Sequence, residues 1–224
     1  MNTIELLIEA EENAMLLFDE IENRGLIQAG KTENKLNTEI FELAKEMFGI
    51  EKYWHKRIVR AGKNTIFPYR ENPADLIIQE EDILFLDFGP VFEDWEADLG
   101  KTYVLGENSQ MLKMKADVET AWYEGYEFYK INREGLIAAD FYKFTSDLAE
   151  KLGWKFGHIH CGHLIGKFPH ERIQGEETLN YIHPENLNKM SDPDKSGNER
   201  FWIYEIHLLD KTESFGGFFE QLLR

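Results

Sequence analysis

Two aspartates flank a turn-rich stretch of the chain and have the chemistry of metal ligands. Asp87 follows the continuous apolar run 83–86, which is typical of a strand buried on both faces, and Asp98 lies eleven residues further on. A charge at the end of a buried strand is costly unless it is paired or bound to a metal, and carboxylate oxygens suit hard cations. Simpler interpretations exist: Asp87 as the cap of the turn 87–90, and Asp98 as a surface residue.

Two glutamates interrupt apolar segments near the end of the sequence. Glu205 lies within the segment 201–208 and Glu220 within 217–223, both of which predict strands. Strand side chains alternate between faces, so each glutamate could instead point to solvent from a half-exposed strand. Taken with the aspartates, the two glutamates favour a metal centre.

Histidines are concentrated in one glycine-containing segment. Four of the seven histidines lie within 157–170, and the single cysteine of the chain lies among them. A lone histidine there would be typical of a core or surface residue, but neutral imidazole is the commonest nitrogen ligand of metals. One cysteine argues against a structural Cys/His zinc site. The segment therefore predicts metal-binding or proton-transferring residues among its four histidines, His158, His160, His163 and His170.

The charge balance limits the partners that we expect. The chain has 25 Lys and Arg against 42 Asp and Glu, a net charge of −17, which repels nucleic acid and anionic lipid. A single cysteine forms no internal disulfide, and glutamates interrupt the apolar residues near the first methionine, unlike a signal peptide. The sequence predicts a cytoplasmic protein without nucleic acid or membrane partners.

Periodic patterns predict the elements that must position these residues. Apolar residues at helical spacing predict a helix over 4–24 and a second helix that Thr32 caps and Gly49 ends. The pattern returns after residue 114 and again before Gly153, whereas 182–199 reads as a loop. Strands are predicted at 83–86, 101–105, 201–209 and 217–223.

A weak internal repeat suggests two related halves. Residues 25–27, Gly-Leu-Ile, recur at 135–137, and Leu43-Ala44 recurs as Leu148-Ala149, at offsets of 110 and 105 residues. Two helix–loop–helix halves with loops of unequal length would give such offsets, although matches this short also arise by chance. We expect a pseudo-twofold arrangement within one catalytic domain over 1–224.

The order of these residues resembles that of the pita-bread metallopeptidases of family M24, which include methionine aminopeptidases, Xaa-Pro aminopeptidases and prolidases. The resemblance is carried by Asp87, Asp98, the segment 162–171 that contains Gly-His-Leu-Ile-Gly and His-Glu, Glu205 and Glu220. It implies an α+β fold in which a pseudo-twofold pair of helix–helix–strand halves surrounds a curved antiparallel sheet.

The resemblance also implies a role for each matched residue. Asp87 would chelate one of two divalent ions, His163 and Glu205 would hold the other, and Asp98 and Glu220 would bridge them. A hydroxide between the ions would attack the peptide carbonyl, and His170 would donate a hydrogen bond to the tetrahedral intermediate. Manganese, cobalt, iron and zinc all suit such ligands.

Three departures from the family concern specificity. Tyr69 stands where the family has a substrate-binding histidine, Ile206 replaces the usual proline after Glu205, and only 15 residues separate Glu205 from Glu220. His160 and Cys161 are assigned no catalytic role.

We expect a metallo-aminopeptidase of the Xaa-Pro or a related type. A hydrolase or lyase of a small non-peptide molecule and a non-catalytic binding scaffold remain alternatives. A homodimer is possible because dimers are common in the family.

Overall fold

A seven-stranded antiparallel sheet carries the site. The computed structural model describes residues 2–170, 172 and 177–224, so Glu171 of the predicted motif lies outside the described residues. The strands follow the order β1-β2-β5-β9-β8-β6, and β7 pairs with the first part of β8. They are β1 Ile58–Ala61, β2 Ile83–Phe88, β5 Leu99–Val104, β6 Lys155–Phe156, β7 Gly162–Ile165, β8 Phe201–Leu209 and β9 Gly216–Leu222, with a separate hairpin of β3 Val91–Phe92 and β4 Trp95–Glu96.

The described residues contain four α-helices, which form two pairs and whose ends follow from local sequence. They are α1 Thr3–Asn23, α2 Glu33–Phe48, α3 Ser109–Asn132 and α4 Ala138–Leu152. The Thr32 hydroxyl accepts a hydrogen bond from the Lys35 N–H at 3.1 Å, and Gly49 ends α2 with a φ of 69°, a left-handed conformation that favours glycine. The four predicted helices and the two predicted strands that close the chain are confirmed.

Each helix pair covers one half of the sheet. Leu84, Leu86 and Phe88 of β2 pack against α1 and α2, whereas Tyr204 and Ile206 of β8 pack against α3 and α4. The halves meet where β5 pairs with β9. Because alternate strand residues point to opposite faces, the residues between these apolar ones face away from the helices.

Some elements were not predicted. β1 is four residues long and contains a buried arginine, Arg60, so its sequence does not have a strand pattern. The stretch 87–100, predicted as a turn, contains the β3–β4 hairpin, and β5 begins at Leu99 because Leu99 and Gly100 pair with β2. Within the described residues, no helix is both long and apolar enough to cross a membrane.

A buried carboxyl group joins the first helix to the last strand. Glu11 on α1 is 3% exposed, and its Oε1 accepts a hydrogen bond from the Leu222 N–H at 2.7 Å. Burial raises the pKa of Glu11 to about 7, against the opposing effects of the Leu222 hydrogen bond and Arg224. Glu11 is therefore largely protonated in the folded protein below neutral pH.

We expect Glu11→Gln to remove a pH dependence of stability. The folded-state pKa of about 7 lies above the ordinary value of 4.5, so the contribution of Glu11 is fully present below pH 4.5 and is lost as the pH rises through 7. The loss amounts to about 3 kcal/mol. Urea unfolding should therefore show the variant gaining about that much relative to the natural protein between pH 4.5 and 8. Glu12→Gln, at an exposed neighbour, is the control, and an equal difference at both pH values would contradict the buried protonated state.

Candidate metal centre

A row of paired residues crosses four strands and places three predicted ligands on one face of the sheet. Asp87 of β2 pairs with Gly100 of β5, Gly100 pairs with Glu220 of β9, and Glu220 pairs with Glu205 of β8. Residues that are directly opposite each other in a sheet point to the same side. A Cβ at Gly100 would lie 2.5 Å from the Phe218 ring and 3.0 Å from Cγ of Glu220, so this glycine leaves room for both side chains.

Strand alternation brings the other two predicted ligands to the same face. Asp98 lies two residues before Gly100, and His163 of β7 pairs with Ile203, which lies two residues before Glu205. His163 Nε2 is 3.2 Å from Asp98 Oδ2. All five predicted ligands therefore line one cavity of about 360 Å³, whose apolar wall includes Phe85 and Phe218.

The acidic groups of this cavity are buried and closely spaced. Burial raises the pKa of Glu220 well above its ordinary value, and Asp98, Asp87 and Glu205 add to this effect. Oε1 of Glu205 and Oε1 of Glu220 have no hydrogen-bond partner among the described residues. A buried carboxylate oxygen without a hydrogen bond, such as Oε1 of Glu220, fits a bound cation, so the donor set fits the implied metal ions.

Asp87 does not cap a turn, and the two glutamates do not point to solvent. Asp87 lies within β2 with its side chain at the cavity, and burial raises its pKa to about 7 although His55 opposes the shift. Glu205 and Glu220 are 6% and 2% exposed, and Asp98 is 3% exposed rather than at the surface. The simpler interpretations of all four acids are therefore wrong.

His55 is a site residue that sequence reasoning missed. Its Nε2 lies 3.0 Å from Asp98 Oδ1 and 3.5 Å from Asp87 Oδ1, and its Nδ1 lies 2.7 Å from the Lys56 carbonyl. Burial alone would lower its pKa, but attraction by Asp98 and Asp87 outweighs burial and raises the pKa to about 9. The single signal in the sequence was an isolated histidine after Trp54, with no spacing to mark it.

Tyr69 lies at the mouth of the cavity beside His55. Its side chain is 41% exposed, its ring meets the His55 ring edge to face at 5.7 Å, and its hydroxyl accepts a hydrogen bond from the Lys56 N–H at 3.4 Å. Burial of the ring raises the pKa of Tyr69. The His55 imidazole therefore lies next to the position at which the family has a histidine and this chain has Tyr69.

His170 is held by a buried acid that the sequence did not single out. His170 Nδ1 is 2.7 Å from Oε2 of Glu96, and the His170 N–H donates to Oε1 at 3.1 Å. Glu96 is 1% exposed and also accepts a hydrogen bond from the Gly166 N–H at 3.2 Å. Glu96 therefore fixes the orientation of the His170 ring at the cavity.

Two further histidines approach Glu205 from the segment before β7. Nδ1 of His160 lies 2.6 Å and Nδ1 of His158 lies 3.8 Å from Oε1 of Glu205. Burial raises the pKa of Glu205, but His160 and His158 outweigh it and lower the pKa to about 2. Cys161 points the other way, into the apolar core, where burial raises the pKa of its thiol.

The chain matches the model of a known peptidase family. The profile of metallopeptidase family M24 matches residues 5–193, a range that contains Asp87, Asp98 and His163 and ends before Glu205. A protein of Mycoplasma genitalium that is assigned as a Xaa-Pro aminopeptidase is 26% identical over 133 residues, which cover 58% of this chain and 36% of that protein.

Solved structures share the fold. A dipeptidase from Pyrococcus horikoshii OT3 has a TM-score of 0.76 at 25% identity, covering 97% of this chain and 55% of its own. An X-Pro aminopeptidase from Thermotoga maritima has a TM-score of 0.77 at 21% identity, covering 97% and 56%. A methionine aminopeptidase from Rickettsia prowazekii has a TM-score of 0.72 at 16% identity, covering 98% and 91%.

These likenesses confirm the α+β pita-bread fold, although the chain spans little more than half the length of the first two structures. The family profile matches most of the sequence and includes the strand ends that carry the two aspartates. The chain belongs to metallopeptidase family M24.

Proposed function

We propose that residues 1–224 form a catalytic domain that is a dinuclear metal-dependent aminopeptidase, which releases the first residue of peptides of the Xaa-Pro or a related type. The observation that carries the proposal is the convergence of Asp87, Asp98, His163, Glu205 and Glu220 on one cavity. The named relatives, an assigned Xaa-Pro aminopeptidase and an X-Pro aminopeptidase, support the substrate class.

The five ligands would hold two divalent cations, of which manganese, cobalt, iron and zinc suit the donor set. Such cations, when bound, lower the pKa of water and polarise a peptide carbonyl. As the family resemblance implies, Asp87 would hold one cation, His163 and Glu205 would hold the other, and Asp98 and Glu220 would be shared by both.

The remaining cavity residues bind and orient the substrate. His170, held by Glu96, stabilises negative charge on the carbonyl oxygen through a hydrogen bond. His55 lies beside Asp98, and Tyr69 packs on His55. Both residues bind the part of the substrate that reaches this side of the cavity. A volume of about 360 Å³ is at the small end of ligand pockets and suits a short peptide terminus.

Hydrolysis of a small non-peptide molecule is the second candidate, and the β8–β9 connection favours it. Within this connection, the Asp210 carboxylate accepts hydrogen bonds from the N–H groups of Thr212 at 3.0 Å and Phe215 at 3.1 Å, which holds the connection in a tight turn. A closed hairpin of this length offers little surface for binding an extended peptide.

The direct test uses the purified protein, loaded with manganese or cobalt, on peptides that begin Xaa-Pro or Met-Xaa. We expect release of the first residue, detected by mass spectrometry, and no cleavage of the same peptides after acetylation of the amino group. Metal binding without cleavage of any peptide would overturn the aminopeptidase and favour the non-peptide substrate. Failure to bind metal would overturn both and leave the binding scaffold.

His163→Ala should lower metal content and activity together, because it removes the one imidazole among the five proposed ligands. Metal per chain is measured by mass spectrometry after gel filtration, and hydrolysis on the same samples. His183→Ala is the matched control, since the His183 side chain belongs to none of the donor groups. A His163→Ala protein with full metal content would contradict the assigned role.

His170→Ala should leave the metal content unchanged and reduce kcat by about 10²- to 10³-fold, the usual effect of removing one hydrogen-bond donor to a developing oxyanion. Steady-state kinetics with KM and kcat separated checks this. If the variant loses metal as well, His170 holds the cations rather than the substrate.

A further inference from the structure

A second group of metal-ligating side chains lies beside the five proposed ligands. His158 and His160 come from the segment between β6 and β7, and both aim Nδ1 at Oε1 of Glu205, at 3.8 Å and 2.6 Å. These three donor atoms all lie within 4.8 Å of one another, whereas His163 groups with Asp98 and Glu220. The proposed centre makes no use of either histidine.

The donor atoms of this group are close together but poorly aligned for hydrogen bonding. His160 Nδ1 and Glu205 Oε1 are 2.6 Å apart, yet neither atom has a hydrogen bond of normal angle in the part of the chain that the structure describes. His158 Nδ1 is likewise buried without such a partner there. Three buried polar atoms therefore lie within 4.8 Å of one another without a hydrogen bond among the described residues.

An ion pair between His160 and Glu205 would still leave Nδ1 of His158 without a hydrogen bond among the described residues. A carboxylate oxygen can accept two hydrogen bonds, but His158 Nδ1, at 3.8 Å from Glu205 Oε1, is beyond hydrogen-bond distance. Protonating both rings would place two positive charges on rings whose centroids are 3.9 Å apart. A single cation, in contrast, would accept the lone pairs of both nitrogens and of the oxygen.

Neighbouring side chains fix the ring of His160 and the backbone of His158. The Tyr181 ring packs on the His160 ring with centroids 4.5 Å apart, and the Tyr142 hydroxyl donates to the His158 carbonyl at 3.2 Å. Ligands that are fixed before the metal arrives lose little freedom on binding. The group is therefore organised for binding.

We propose that His158, His160 and Glu205 form a third cation site, for a divalent transition metal such as zinc, next to the dinuclear centre. Two imidazoles and one carboxylate are a ligand set that zinc and ferrous iron favour over harder cations. The inference rests on the proposed function in one respect, since Glu205 would be shared between the third site and the centre, with one oxygen to each. The intact protein would bind three ions per chain.

The test is zinc stoichiometry after equilibrium dialysis, measured by mass spectrometry. We compare the natural protein with His158→Ala/His160→Ala, with Asp87→Asn/Asp98→Asn and with the control His183→Ala. We expect the His158→Ala/His160→Ala protein to bind one zinc fewer than the natural and control proteins, and the Asp87→Asn/Asp98→Asn protein to retain that zinc. Equal zinc content in the His158→Ala/His160→Ala and natural proteins would overturn the third site.

A second measurement needs no variant and stands if the double variant does not fold. In zinc-soaked crystals of the natural protein, an anomalous peak should lie between Glu205 Oε1 and the two Nδ1 atoms, and its absence would overturn the site. Failure of the proposed function gives a different result. In that case the Asp87→Asn/Asp98→Asn protein binds as much zinc as the natural protein, while His158→Ala/His160→Ala still removes one ion.

Discussion

Repulsion among buried carboxylates is the constraint on which the rest of this structure depends. Glu205 and Glu220 stand directly opposite each other on β8 and β9, and Asp87 and Asp98 face the same cavity. Like charges opposite each other in a sheet are destabilising, and an uncompensated buried charge costs several kcal/mol. Protonation of Asp87 and Glu220, whose pKa values burial raises, relieves this repulsion, and bound cations would do the same.

Burial of apolar residues under the two helix pairs offsets the unfavourable free energy of holding the acids of this row together. Alternate residues of the same strands bury Leu84, Leu86 and Phe88 under one helix pair and Tyr204 under the other. Close packing is needed to keep the strands in register, since a shift of one residue would move every acid to the helix face. Gly125 lets α3 approach β8, because a Cβ there would lie 2.2 Å from the Tyr204 hydroxyl.

Histidine nitrogens lie next to the carboxylate oxygens at the edges of the row. His55 stands between Asp87 and Asp98, His163 meets Asp98 from the other side, and His160 meets Glu205. Glu96 fixes the orientation of the His170 ring, and it belongs to the short β4 strand of the separate hairpin. The hairpin thus acts on the site through one buried acid.

The sequence by itself determined the helices, the apolar strands and the four acids and one imidazole that line the cavity, because strand burial and helical spacing are local patterns. It also indicated two related halves, which the fold has as two helix pairs on one sheet. The tertiary structure decided which of these side chains lie close together. Asp98 lies at the surface or in the core depending on strand pairing, and the side on which a glutamate of β8 or β9 points depends on register. His55 and Glu96 carry no local pattern, so that only the approach of distant segments, from before β1 and from β4, could bring them to Asp98 and His170.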